Sequence, residues 1–167
     1  MSQTWRYDED RTYRGYRKGQ GRSLIDVELA EYGPTQRKGV QVIKTITSCS
    51  GGIFQGLELN WGYNGTGTSA AAYEVLTDAL GEPATDELRE AFCEDVLSQF
   101  GSEWRLRRGA VLRWALGWGV QHGKVGELPD ILRALPPVER EDFEPRPQHV
   151  REASDRKRRA SEAGWAS

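Results

Sequence analysis

Apolar residues change their spacing once along this chain. Up to residue 61 they recur at every second position, and from residue 69 onward at every third or fourth. Ile25, Val27 and Leu29 alternate with polar residues, as in a half-buried strand. Residues 40–47 are rich in β-branched side chains, which suit a pleated surface. Residues 11–17 alternate aromatic, glycine and basic positions, and 53–61 place Leu57, Leu59 and Trp61 on one side. The pattern predicts four strands, 11–17, 23–29, 40–47 and 53–61. The connections are too short for parallel crossovers, so the sheet is expected to be antiparallel.

In the second half Ala72, Val75, Leu76, Ala79 and Leu80 form a helical stripe over 69–80, closed by Gly81. Thr85 is placed to cap a second helix, with Asp86 and Glu87 at the favourable end of its dipole. There Leu88, Phe92, Val96 and Phe100 repeat every four residues, and Gly101 ends the run. A third helix is expected over 108–122 and a short turn of helix at 129–135. Beyond Pro136 no apolar period remains, and the prolines and charges there suit a tail that joins no core. The expected architecture is one α+β domain over residues 1–136. It has an antiparallel sheet of about four strands, three helices on one face, and a charged tail over 137–167.

Charge changes this picture by its placement. The formal net charge of the 167 residues is only −2. Residues 1–22 nevertheless hold six basic against three acidic side chains, and 73–103 hold nine acidic against Arg89 alone. The tail from 146 repeats the basic excess around Arg156, Lys157, Arg158 and Arg159. Such blocks select partners and raise encounter rates. No run of about 18 apolar residues exists, so no membrane span is expected, and the first ten residues do not resemble a secretory signal. A cytoplasmic location follows as the expectation. Two cysteines, Cys49 and Cys93, and two histidines give neither a disulfide framework nor a metal spacing. No metal and no cofactor are expected.

The most specific local feature is Asn60-Trp61-Gly62-Tyr63-Asn64-Gly65-Thr66-Gly67-Thr68-Ser69. It joins a predicted strand to a predicted helix. Its glycines permit close backbone approach, and Thr66, Thr68 and Ser69 supply hydroxyls at a helix start, where free amides attract anions. Trp61, Gly62, Tyr63, Gly65, Thr66, Gly67, Thr68 and Ser69 are therefore candidate ligands for a phosphate-bearing molecule. The loop lacks the Gly-Lys-Ser/Thr ending of a Walker loop and does not sit in a βαβ unit. The plainer reading is a tight, self-capping turn whose glycines let Ala70-Ala71-Ala72 pack against the sheet.

That run, entering an Ala/Leu helix that ends in Leu80-Gly81, resembles a prokaryotic and phage family, the domain of unknown function 6166, with its W-G-Y-x-G-x-G-P loop. Tyr13-Arg14-Gly15, the helix from Phe92 to Phe100, and Trp104-x-Leu106 before a helix with Trp114 and Leu116 extend the resemblance over roughly residues 11–118. Thr68 stands where the family usually carries proline. The resemblance implies a setting on phages or mobile elements and brings no activity.

A nucleophile with a base is hard to assemble: Cys93 reads as a core residue, Cys49 as a residue of an exposed loop, and His122 lies far away in sequence. Binding is the more economical reading, by a small accessory protein that engages a host macromolecule or a phosphate-bearing ligand. One alternative is a nucleic-acid module using Arg11, Arg14, Arg17, Lys18 and the tail cluster, with aromatic residues interleaved for stacking. Another is an acidic nucleic-acid mimic that inhibits a host defence nuclease. Its helical face over 73–103 points mostly outward and would engage a host protein through Glu87, Glu90, Glu94 and Trp118.

Overall fold

The computed structural model describes residues 11–32 and 37–133. Strands β1 (Arg11–Lys18), β2 (Arg22–Tyr32), β3 (Arg37–Ile46) and β4 (Trp104–Arg107) form one antiparallel sheet in the order β3-β2-β1-β4. The helices are α1 (Thr66–Leu80), α2 (Asp86–Asp95), α3 (Arg108–Gln121) and the single turn α4 (Asp130–Arg133). The α+β class and the four-stranded antiparallel sheet are as expected, and the helical ranges largely agree.

The fourth strand is not the expected one. Residues 53–61 form no strand: Gly52–Phe54 is a 3-10 turn, and Gly52 and Gly56 take positive φ. These glycines fold the segment onto itself, so Cys49 N–H donates to Leu57 C=O and Gly56 N–H to Cys49 C=O. With its backbone satisfied locally, the segment has no ladder to offer. Leu59 and Trp61 still reach the core, whereas Leu57 and Ile53 are exposed. The free edge of β1 is taken by Trp104–Arg107, where Gly15 pairs with Trp104.

One face of the sheet carries Tyr13, Ile25 and Val27, all fully buried beneath the helices. Ala70, Ala71 and Ala72 are fully buried too, so α1 enters the core on its smallest side chains. The other face is polar. Asp26 accepts from Tyr16 Oη at 3.3 Å and Thr45 Oγ1 at 2.6 Å, and Glu28 lies 3.8 Å from Arg105. Ile43 bulges out of β3, because Val27 pairs with Lys44 and Glu28 with Val42.

Helix α2 stops at Asp95 rather than running to Phe100. Val96 caps the helix, its N–H on Phe92 C=O, and a 3-10 turn, Leu97–Gln99, follows. Leu97 replaces Val96 in the core, and its carbonyl accepts from Gly62 N–H at 2.9 Å. The capping of α2 by Thr85 is as expected, with its side chain accepting from Leu88 N–H.

The acidic residues of 73–103 do not all face outward. Glu74 and Asp78 of α1 are turned inward. Glu74 accepts from both Ser50 N–H and Ser50 Oγ. Asp78 accepts from Tyr13 Oη at 2.6 Å and pairs with Arg11 and Lys44, each at 2.9 Å. Burial pushes Asp78 up, but the donors Tyr13, Lys44 and Arg11 outweigh it and hold the carboxyl below its ordinary range. Burial and the Asp78 charge push the Tyr13 phenol far above its own.

Candidate functional site

The turn between β1 and β2, Gly19-Gln20-Gly21, has positive φ at all three residues and sets Lys18 opposite Arg22. It lies next to the glycine loop. Arg17 makes the joint: its guanidinium donates to Asn60 Oδ1 and Ser23 Oγ at 3.0 Å and to the Trp61 carbonyl at 3.4 Å. The same group lies 5.3 Å from the Trp61 ring centre.

Inside the loop the glycines are needed for packing. A Cβ on Gly67 would stand 2.8 Å from the Asn60 Cβ, and one on Gly65 would stand 2.5 Å from the Tyr63 ring. Gly62 has φ +85° and its amide holds Leu97. Gly65, in extended geometry, is the N-cap of α1, and no side chain caps the helix. The helix thus begins at Thr66, three residues before the expected start. Thr68 is fully buried and its hydroxyl donates to the Tyr63 carbonyl at 2.5 Å. That bond fixes the turn.

Two cavities meet at this end. One, of about 760 Å³, is lined by Lys18, Gly19, Gln20, Gly21, Arg22, Leu24, Thr47 and Glu58. The other, of about 250 Å³, shares Gly21 and Glu58 and adds Asn60, Tyr63, Thr66 and Gly67. Tyr63 is 49% exposed, with its hydroxyl accepting from the Asn60 side-chain amide. Lys18 and Arg22 line the larger cavity with the carboxylate Glu58, and Arg17 braces its neighbour from behind through Asn60 and Ser23. The Ser69 amide donates to Gly65 C=O as the helix begins, and this end of α1 carries partial positive charge.

The loop has a second side with the opposite character. Asn64, Gly65, Thr66 and Ser69 border a cavity of about 400 Å³ that also holds Glu90 and Glu94. Carboxylates beside a helix N-terminus already satisfy its potential and repel a further anion. Cations thus stand on the hairpin side of the loop, and carboxylates on the other.

The predicted binding residues fall into different places. Lys18 joins Tyr63, Thr66 and Gly67 at the double cavity, and Arg17 supports it through Asn60 and the Trp61 carbonyl. Arg11 is held by Asp78, and Arg14 is paired with Glu103 at 2.8 Å and lies over the Tyr16 ring. Arg156, Lys157, Arg158 and Arg159 lie outside the described residues. Glu87 is paired with Lys124. Glu94 lines the groove between α2 and α3 with Trp118. Asn60 stands at the head of the loop motif and Arg22 closes the basic block over 1–22, whereas no signal in the sequence marks Glu58.

Cys49 is not in an exposed loop: it is 2% exposed, and its thiol donates to Gly51 C=O. Burial pushes both the Cys49 and Cys93 thiols up, which disfavours the thiolate a nucleophile needs. Among the described residues no group of three or more His, Cys, Asp or Glu side chains could hold a metal, and no helix is long and apolar enough to cross a membrane.

Residues 13–117 match the model of a family of unknown function, DUF6166, and the chain belongs to that family. No curated protein and no solved structure matches the chain.

Proposed function

We propose that this DUF6166 protein works by binding, and that its ligand is a phosphate-bearing molecule seated between the β1–β2 hairpin and the glycine loop. One observation supports this above the others: the two cavities meet at Gly21 and Glu58, which puts Lys18 and Arg22 on one side and Tyr63 with the start of α1 on the other. Cations beside a helix start suit phosphate, and a half-exposed tyrosine suits an aromatic base. A nucleotide and a single-stranded nucleic acid share this chemistry.

The acidic-mimic reading draws less support. Glu74 and Asp78 are spent inside the fold, and Asp86, Glu87 and Glu103 each have a cation within pairing distance.

The test is a fluorescence titration with ATP and, separately, with a short oligo-dT strand, each at two salt concentrations. Binding by the strand alone, weakening steeply with salt, identifies nucleic acid; binding by ATP identifies the mononucleotide. The double substitution Lys18→Glu/Arg22→Glu removes only exposed side chains and should weaken the interaction about tenfold or more without moving the unfolding midpoint. Wild-type affinity in the folded double variant, or no binding of either ligand by the parent, overturns the proposal.

A further inference from the structure

The groove between α2 and α3 has a chemistry opposite to that of the hairpin cleft. Its volume is about 470 Å³, and Glu94 and Asp95 of α2 face Trp114, Trp118 and His122 across it. The floor is low because Ala91 and Gly117 stand there. Phe92 and Trp114 meet edge to face at 5.1 Å, and His122 stacks on Trp118 at 4.8 Å with Nδ1 2.8 Å from the Trp118 carbonyl. The aromatic groups are thus fixed by packing before anything enters.

Two independent features make the groove negative. Neither Glu94 nor Asp95 has an ion-pair partner among the described residues, whereas Asp86, Glu87 and Glu103 do. The C-terminal ends of both helices, at Asp95 and Gln121, also line it, and neither helix carries a basic residue in its last turn. A helix C-terminus holds partial negative charge and draws cations. An indole face attracts a guanidinium or ammonium group, and a neighbouring carboxylate pairs with it.

We propose that the α2–α3 groove binds an arginine side chain presented by a protein partner. Arginine fits better than lysine, because a planar guanidinium both stacks on an aromatic ring and bridges to a carboxylate. The site is separate from the hairpin cleft, shares no lining residue with it, and does not depend on that reading.

The experiment uses the full chain and two labelled hexapeptides, one of arginine with glycine and one of lysine with glycine, followed by anisotropy and tryptophan emission. The arginine peptide should bind more tightly and perturb the tryptophan emission. Glu94→Gln/Asp95→Asn should weaken it about tenfold, a change of the size that one charge-assisted contact supplies. Glu82→Gln/Glu103→Gln removes the same charge from exposed positions outside the groove and should change affinity less than twofold. His122→Ala, on the exposed rim, should narrow the preference for arginine. Equal losses in the two double variants, a preference for lysine, or no binding of either peptide at millimolar concentration overturns the proposal.

Discussion

The Arg17 guanidinium lies 5.3 Å from the centre of the Trp61 ring while hydrogen-bonded to Asn60. This contact joins the β1–β2 hairpin to the glycine loop, so the hairpin cations and the start of α1 form one surface. It needs a flat cation with several donors, which arginine has and lysine lacks. Replacing Arg17 by Ala should weaken binding of the phosphate-bearing ligand and lower stability by about 1 kcal/mol. Arg17→Lys should restore neither in full. Ligand titration beside urea unfolding measures both, and a lysine variant equal to wild type would dismiss the geometry.

Gly15 lies beneath the Trp104 indole, and a Cβ there would come within 2.2 Å of that ring. The ring is buried and in contact with Trp61 at 5.4 Å and Phe100 at 4.9 Å, so it has little room to withdraw. Gly15→Ala should cost about 2–3 kcal/mol through overpacking and separation of β4 from β1. Thermal unfolding reads the loss, and an unchanged midpoint would show that the indole moves aside.

Tyr13 and Asp78 shape the pH dependence of stability in opposite directions. Asp78 titrates below its ordinary range when folded, so its contribution is present above about pH 4 and is lost as pH falls through the folded value. The Tyr13 phenol titrates above its ordinary range, so stability is full below about pH 10 and declines as the unfolded chain begins to ionise. Tyr13→Phe should flatten the alkaline decline. Asp78→Ala should cost about 2 kcal/mol near neutrality and flatten the acid one. Denaturant midpoints measured from pH 3 to 11 test both slopes.

Cys49 and Cys93 are buried thiols raised by desolvation. In the native protein at neutral pH both should react slowly with a thiol-specific disulfide reagent, and at the free-cysteine rate in denaturant. A fast-reacting native Cys49 would return it to consideration as a nucleophile.

Much of the architecture is legible in local pattern. The period-two run of Ile25, Val27 and Leu29, the stripe from Ala72 to Leu80, and Thr85 with Asp86 and Glu87 each declare their element within a few residues. The glycine loop is legible as well, since its spacing places a tight turn before a helix. Residues 53–61 mislead because alternation records only which side chains can be buried. Leu59 and Trp61 are buried from a loop, and the pattern cannot tell a loop from a strand. The four residues of β4 are too few to outweigh the helix that follows them.

By itself the sequence determined the periods, the caps, the turn residues and the uneven charge, because these depend on neighbours within one or two turns of chain. Only the tertiary structure decided which edge of β1 is filled, that Glu74 and Asp78 are spent inside, and that Arg17 meets Trp61. It also decided that the glycine loop has a cationic side and an acidic side. Those outcomes depend on residues tens of positions apart competing for the same space and the same hydrogen bonds, and a linear pattern holds no record of that competition.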